Sequence, residues 1–134
     1  MSGVMVAGLL LATGCFGAAT VEVPYDAGSA HLAVGEVLRV TVGEINTSVG
    51  DSWYVIGEPD RAVLGPGKEE RESGDCPEGH SGCSSRLSWT FSAVGKGVTG
   101  IVFRYCYRSQ PGPDCAPQPS RGPADPVTLT VTVG

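Results

Sequence analysis

The sequence predicts an all-β protein, an immunoglobulin-like β-sandwich of about seven strands. The 134 residues include 20 glycines and 10 prolines but few helix-forming runs, and this composition favours turns over helices. Several short segments alternate apolar and polar side chains with a period of two, which places one face of a strand on a core and the other in water. Seven such strands separated by turns are typical of a two-sheet sandwich.

The last predicted strand, 127–133, is the clearest, because a leucine and three valines alternate in it with threonines. The strand 100–107 is more continuously apolar. Its odd-numbered residues from Ile101 to Tyr105 are expected to face inward, and Arg104 is expected to face outward. The remaining predicted strands are 21–23, 31–34, 37–42, 53–56 and 86–93.

Two segments interrupt the regular spacing of strands. Residues 57–85 are long, polar and mostly acidic, and residues 109–126 are rich in proline and glycine. A structureless insertion as long as the first is usually functional or disordered.

The N-terminus predicts export. Residues 4–11 form an apolar run that is too short for a membrane span. The residues that follow it, Ala12-Thr13-Gly14-Cys15, are similar to a bacterial lipobox. We therefore expect a lipoprotein signal peptide over residues 1–14. A lipidated N-terminus and first strand would follow over 15–30, and the sandwich domain would occupy 31–134. Cys15 would anchor the protein to the outer face of the membrane in the cell envelope; plain secretion is the alternative.

Composition also excludes classes of partner. A net charge of −5 and only two lysines argue against nucleic acid, because binding to phosphates needs a basic face. No glycine-rich phosphate loop follows a strand and opens a helix, and we expect no cofactor. The expected oligomeric state is a monomer.

Besides Cys15 the chain has four cysteines, and an even number in an exported domain predicts two disulfides. Four cysteines allow three connectivities. We favour Cys76–Cys83 and Cys106–Cys115, since each pair brackets one turn-rich loop. Zinc is the rival interpretation, but no Cys-x-x-Cys pair occurs and neither histidine has ligand spacing. We expect no metal site.

The segment Asn46-Thr47-Ser48-Val49-Gly50-Asp51-Ser52-Trp53 places a polar loop between two predicted strands. Asparagine and glycine tolerate positive φ, so the loop can be compact. It resembles the first signature of the chagasin family of cysteine-peptidase inhibitors, Asn-Pro-Thr-Thr-Gly-Tyr-x-Trp. The asparagine, the glycine and the tryptophan match, Ser48 is a conservative replacement, and the proline and the tyrosine are absent.

The resemblance extends over roughly 31–133 and implies a chagasin-like sandwich that blocks papain-like cysteine peptidases reversibly with a wedge of three loops. Residues Asn46 to Gly50 would enter the cleft, with Ser48 central, and Trp53 would fix the base of that loop. The family's third signature, Arg-Pro-Trp, is replaced by Tyr107-Arg108-Ser109. The expected residues of the two flanking loops are Gly79, Gly82, Ser84, Tyr107 and Arg108. A bulky replacement of Ser48 or Gly50 is expected to abolish inhibition and leave the fold intact.

We read the protein as non-catalytic. His31 lies in an apolar strand pattern, and a triad of Glu78, His80 and Ser81 would need neighbours in sequence to reach a geometry that is built in space. Two other functions stay open. One is an immunoglobulin-like envelope lipoprotein that binds another protein without inhibiting peptidases. The other is a structural envelope domain whose acidic insertion binds cations.

Overall fold

The computed structural model describes residues 18–73, 83–109, 115–116 and 118–134. These residues form a β-sandwich, and the predicted fold class is confirmed. The strands described are β1 (Thr20–Pro24), β2 (Ser29–Leu32), β3 (Val37–Ile45), β4 (Asp51–Gly57), β5 (Lys68–Ser73), β6 (Ser85–Ser92), β7 (Gly97–Tyr107) and β8 (Val127–Val133).

The strands form two four-stranded sheets. The first sheet has the order β1-β3-β6-β5, and the second has the order β2-β8-β7-β4. The N-terminal part of the chain contributes one parallel edge strand to each sheet, since β1 pairs with β3 and β2 pairs with β8. All the other pairings are antiparallel. β3 and β4 are consecutive but belong to different sheets, so the connection between them crosses the end of the sandwich.

The core lies between the sheets and follows from the period-2 pattern. The odd-numbered residues of β7, with those of β6 and β8, point inward and pack against alternate residues of β3. Trp89 and Phe103 meet across the two sheets with ring centroids 5.4 Å apart. The connection between β4 and β5 closes the core with Val63 and Leu64, which are both buried.

β5 is an eighth strand that the alternation of apolar residues does not predict. Its six residues, Lys-Glu-Glu-Arg-Glu-Ser, are almost all exposed, and among the described strands it lies at the edge of the first sheet, paired with β6. Charged side chains protect an edge strand from pairing with other chains. Within 57–85, whose conformation the sequence does not predict, residues 68–73 form a strand because tertiary pairing overrides the low β-propensity of glutamate and lysine.

Two residues depart from simple alternation. The register of β3 shifts between Thr41 and Gly43, so Val42 is only half-buried although Leu38 and Val40 are fully buried. Arg104 lies on the outer face of β7, as expected, but only 7% of it is exposed. Its guanidinium donates to the Sγ and the carbonyl oxygen of Cys115, both at 3.3 Å.

The predicted signal peptide and Cys15 lie outside the described residues. Across 18–73, 83–109, 115–116 and 118–134, none of the helices is long and apolar enough to cross a bilayer.

Candidate functional site

The pairing of strands brings three connections to one end of the sandwich. The last residue of β3, Ile45, pairs with the first residue of β6, Ser85. The first residue of β4, Asp51, pairs with the last residue of β7, Tyr107. The β3–β4 loop (46–50) therefore lies between the segment that leads into β6 and the segment that leaves β7. The first predicted loop lies here with the described ends of the other two, and the rest of those two loops lies largely outside the described residues.

The β3–β4 loop is a compact turn. Residues Thr47–Val49 form one turn of 3-10 helix, and the Asn46 side chain caps it by accepting from the Ser48 N–H at 3.0 Å. The Asp51 N–H donates to the Asn46 carbonyl at 3.2 Å and closes the loop at its base. Thr47 and Ser48 are exposed at the tip. The loop thus presents a preformed, polar projection.

Gly50 ends this turn in the left-handed conformation, with φ of 100°. A Cβ atom at this position would lie 2.4 Å from Cγ of Arg108 and 3.2 Å from its backbone nitrogen. Glycine is therefore required both by the backbone conformation and by the close approach of another strand end.

Arg108 holds the loop from the β7 side. Its backbone N–H donates to the Gly50 carbonyl at 2.9 Å, and its Nε donates to the Val49 carbonyl at 3.2 Å. Arg108 itself has φ of 52°, a conformation that is uncommon for residues other than glycine. The two hydrogen bonds to the loop offset this local strain.

A carboxylate lies beneath the loop. Asp51 Oδ1 accepts a hydrogen bond of 2.5 Å from the Tyr105 hydroxyl, and Oδ2 accepts one of 3.3 Å from the Asn46 N–H. Nη1 of Arg121 lies 3.3 Å from both oxygens. Burial raises the pKa of the Tyr105 phenol above its usual value, and the hydrogen bond to Asp51 raises it further.

The end of β7 combines an aromatic ring with two cations. The guanidinium carbons of Arg108 and Arg121 lie 5.1 and 5.2 Å from the centroid of the Tyr107 ring, within the range of cation–π contacts. The predicted Cys106–Cys115 disulfide is confirmed. Next to it, the Tyr107 N–H donates to the Ala116 carbonyl at 2.9 Å, so the disulfide and this bond tether the third loop.

The second predicted loop is only partly described. Ser84 directly precedes β6 and is half-buried beside the base of the β3–β4 loop. Cys83 is disulfide-bonded. The predicted contacts at Gly79 and Gly82 and the predicted partner Cys76 lie outside the described residues.

Trp53 is 5% exposed and lies in β4 just below the loop. Its ring centroid is 4.6 Å from that of Tyr25 and 5.6 Å from that of Tyr105.

His31 is exposed on β2, at the opposite end of the sandwich. The hypothetical triad of Glu78, His80 and Ser81 lies outside the described residues, and among the described ones no three acidic, histidine or cysteine side chains are placed to hold a metal ion.

A groove of about 530 Å³ lies on the outer face of the first sheet. Its lining mixes both signs of charge, and Arg39 crosses it to bond Glu70 at 3.1 Å and lies 4.0 Å from Glu22. Four cations and three carboxylates share this lining, so the groove presents no strong charge of one sign. We place the candidate site at the loop end.

Sequence reasoning missed three residues of this site: Asp51, Tyr105 and Arg121. Asp51 stands where the family's loop signature has tyrosine, and this replacement was the available signal. The partners of Asp51 could not be found from spacing, because Tyr105 and Arg121 are 54 and 70 residues away along the chain.

The site consists of a capped turn between two sheets and two flanking segments. Neither a family model nor a curated protein matches the sequence. Solved structures do share the fold.

The cysteine protease inhibitor EhICP2 from Entamoeba histolytica is similar to this chain with a TM-score of 0.62 and 17% identity, over 87% of this chain and 96% of that one. The solution structure of amebosin aligns with a TM-score of 0.58 and 20% identity, over 88% of this chain and 100% of that one. PbICP-C, solved in complex with falcipain-2, aligns with a TM-score of 0.52 and 16% identity, over 88% and 92% of the two chains. The resemblance to chagasin-like inhibitors is confirmed at the level of the fold.

Proposed function

We propose that the protein is a reversible inhibitor of papain-like cysteine peptidases, and not an enzyme. The observation that carries the proposal is the convergence of three connections at one end of the sandwich, with the central loop held in a preformed turn. A loop that is already ordered loses less conformational entropy on docking, and the saving appears as affinity. The shared fold with EhICP2 and with PbICP-C, which was solved in complex with falcipain-2, supports the same role.

In this proposal residues 46–50 enter the active-site cleft, with the exposed tip of Thr47 and Ser48 foremost. The segment at Ser84 and the pair Tyr107 and Arg108 grip the two sides. Tyrosine and arginine are common anchors of protein interfaces, so this pair takes the place of the family's Arg-Pro-Trp contact.

The shape of the loop also accounts for resistance to cleavage. A peptidase binds its substrate in an extended conformation, whereas Thr47–Val49 is a turn of 3-10 helix with internal hydrogen bonds. The inhibitor therefore offers no peptide bond in the register of a substrate, and it should be recovered intact from the complex.

The test is titration of papain with residues 16–134. The peptidase is activated first and then diluted to low reductant, because reduction of the disulfides would imitate inactivity. Ser48→Arg is the test variant. It is preferred to a change at Gly50, where any side chain would collide with Arg108. Ser92→Arg is the matched control, since Ser92 is also exposed but pairs with Val37 at the opposite end.

We expect stoichiometric, reversible inhibition by the wild-type protein and by Ser92→Arg. The Ser48→Arg inhibition constant should rise at least about 30-fold, the effect of a single hot-spot residue. Absence of inhibition at micromolar wild-type protein, with the fold verified by circular dichroism, would refute the proposal. The same sandwich would then serve an envelope protein that binds another partner.

We further propose that Cys15 is lipidated and anchors the protein to the outer face of the membrane. The proposal rests on the lipobox-like Ala12-Thr13-Gly14-Cys15 after an apolar stretch. Expression in a bacterial host with an alkyne-labelled fatty acid should label the wild-type protein and leave Cys15→Ser unlabelled. Equal recovery of both proteins in the soluble fraction, without label, would favour plain secretion.

A further inference from the structure

The carboxylate of Asp51 contacts three separate parts of the chain. Tyr105 belongs to β7, Asn46 is the first residue of the β3–β4 loop, and Arg121 belongs to the connection before β8. Only 13% of the Asp51 side chain is exposed. In such an environment a carboxylate is retained only if its oxygens are bonded, and here each oxygen has at least two donors.

Asp51 closes the loop twice. Its backbone N–H donates to the Asn46 carbonyl, and its side chain accepts from the Asn46 N–H. The two bonds join the same pair of residues in opposite directions, so they hold the first residue of the loop at a set distance and angle from the first residue of β4. The 3-10 turn at the tip extends from this base.

The turn that contains Arg121 is built against the same network. The Arg121 and Gly122 N–H groups both donate to the Gln118 carbonyl, at 2.8 and 3.1 Å. A Cβ atom on Gly122 would lie 2.6 Å from Cγ of Tyr105, so the turn packs directly on the ring whose hydroxyl bonds Asp51. The Arg121 guanidinium continues past the carboxylate to the Tyr107 ring.

We propose that Asp51 is a positioning residue that sets the presented shape of the β3–β4 loop, with Tyr105 and the turn 118–122 as its supports. The turn 118–122 is then a fourth element of the inhibitory end, although it need not contact the peptidase. This inference rests on the proposed inhibitory function for its consequence in affinity, but its structural claim concerns the free protein.

A purely structural role predicts a different outcome. An ion pair that only stabilises the sandwich lowers the melting temperature when removed and leaves the loop unchanged below it. A positioning residue alters the loop in the folded protein, at temperatures far below melting. The two roles therefore separate in the backbone amides of the loop, which report local opening independently of global unfolding.

The test variant is Asp51→Asn. The amide retains one acceptor oxygen, and if that oxygen stays on Tyr105, its NH2 group faces the donors of Asn46 and Arg121. The matched control is Glu69→Gln, which removes the negative charge of an exposed ion pair to Arg71 of similar length, 3.2 Å, on β5. Hydrogen exchange and chemical shifts of the loop amides are measured in the free proteins by NMR, and dissociation constants for papain are measured in parallel.

In Asp51→Asn we expect exchange of the Asn46 and Ser48 amides to accelerate about tenfold or more, with unchanged exchange in the β3 and β8 amides. The dissociation constant for papain should rise about tenfold, and Glu69→Gln should match the wild type in both measurements. Arg121→Gln, which keeps the carboxylate and its bond to Tyr105, should show the same pattern with a smaller amplitude and serves if Asp51→Asn does not fold.

Loop amides with wild-type exchange and shifts in both variants would overturn the inference. Altered loop amides in a protein whose wild type does not inhibit papain would uphold the positioning role and refute the proposed function. Inhibition by the wild type that both variants retain in full would also overturn the inference, because the shape presented to the peptidase would then not depend on this network.

Discussion

The β3–β4 loop and the β2–β3 turn lie at opposite ends of the sandwich and use the same local chemistry. Each contains a glycine with positive φ, 100° at Gly50 and 97° at Gly35. Each also contains a carboxylate that accepts from a backbone N–H in its own turn. Asp51 accepts from the Asn46 N–H at 3.3 Å, and Glu36 accepts from the Ala33 N–H at 2.7 Å.

The difference lies in what surrounds the two turns. A Cβ atom on Gly35 would meet no atom of the described residues within 4 Å, whereas one on Gly50 would collide with Arg108. The β2–β3 turn is joined to its neighbour by backbone bonds to Ala93. The β3–β4 loop is held in addition by the side chains of Tyr105, Arg108 and Arg121. Local chemistry closes both turns, and long-range side-chain contacts are added at the β3–β4 loop.

Removal of the Cys106–Cys115 disulfide, next to the end of β7 that holds the β3–β4 loop, should have the largest effect on stability. The double variant Cys106→Ala/Cys115→Ala frees a disulfide across nine residues and should lower the free energy of unfolding by about 2–4 kcal/mol. Hydrogen exchange should accelerate at Tyr107 and Arg108 and stay unchanged at Gly35. Denaturant titration measures the free energy of unfolding, and NMR measures the exchange of the amides. Equal acceleration at both ends would contradict the assignment of the tether to this loop.

Truncation of the two carboxylates sharpens the comparison. Asp51→Ala leaves the Tyr105 hydroxyl, the Asn46 N–H and Arg121 without their acceptor, and we expect a loss of about 2–3 kcal/mol in the free energy of unfolding. Glu36→Ala removes one hydrogen bond in an open turn and should lose about 0.5–1 kcal/mol. Urea titrations of both variants give the difference, and losses of equal size would mean that the network adds nothing.

The two glycines provide a smaller contrast. Alanine at either position enters the left-handed region, at a cost of about 1–2 kcal/mol. Gly50→Ala should lose about 1 kcal/mol more than Gly35→Ala, because its methyl group also displaces Arg108. Thermal melts of the two variants test this. A greater loss at Gly35 would show that Arg108 moves aside freely and does not clamp the loop.

The smallest effect concerns pH. Because the pKa of Tyr105 is raised in the folded protein, the neutral phenol is favoured by folding. Its contribution to stability is present below the unfolded-state pKa of about 10 and is lost as the pH rises above that value. Wild type should lose about 0.7 kcal/mol more than Tyr105→Phe between pH 9.5 and 10.5. Denaturation curves give the free energy of unfolding of both proteins at the two pH values. An equal loss in wild type and Tyr105→Phe would contradict the prediction.

Much of the fold could be predicted from local pattern. The alternating segments correspond to seven of the described strands, because a strand with one buried face must repeat its apolar residues every second position. β5 was not predicted, because its six residues carry five charges and form no apolar face. Nothing within 68–73 indicates a strand; it forms because β6 offers an unpaired edge.

The loop motif and the disulfide could also be found in advance. Asn46, Gly50 and Trp53 form a recognisable spacing, and Cys106 and Cys115 bracket one turn-rich segment. The structure describes the Cys106–Cys115 disulfide and places the β3–β4 loop beside the start of β6 and the end of β7. The contacts of the loop with Tyr105, Arg108 and Arg121 could not be found in this way, since they join residues more than 50 positions apart.

The sequence by itself determined which residues face the core, where the chain turns and which turn resembles an inhibitory loop. These properties depend on neighbours within a few positions, so periodicity and turn chemistry reveal them. Only the tertiary structure decided that Asp51 meets Tyr105 and Arg121 and that Arg108 covers Gly50. Such contacts arise when two sheets stack and bring distant strand ends together, and their geometry depends on the packing of the whole core.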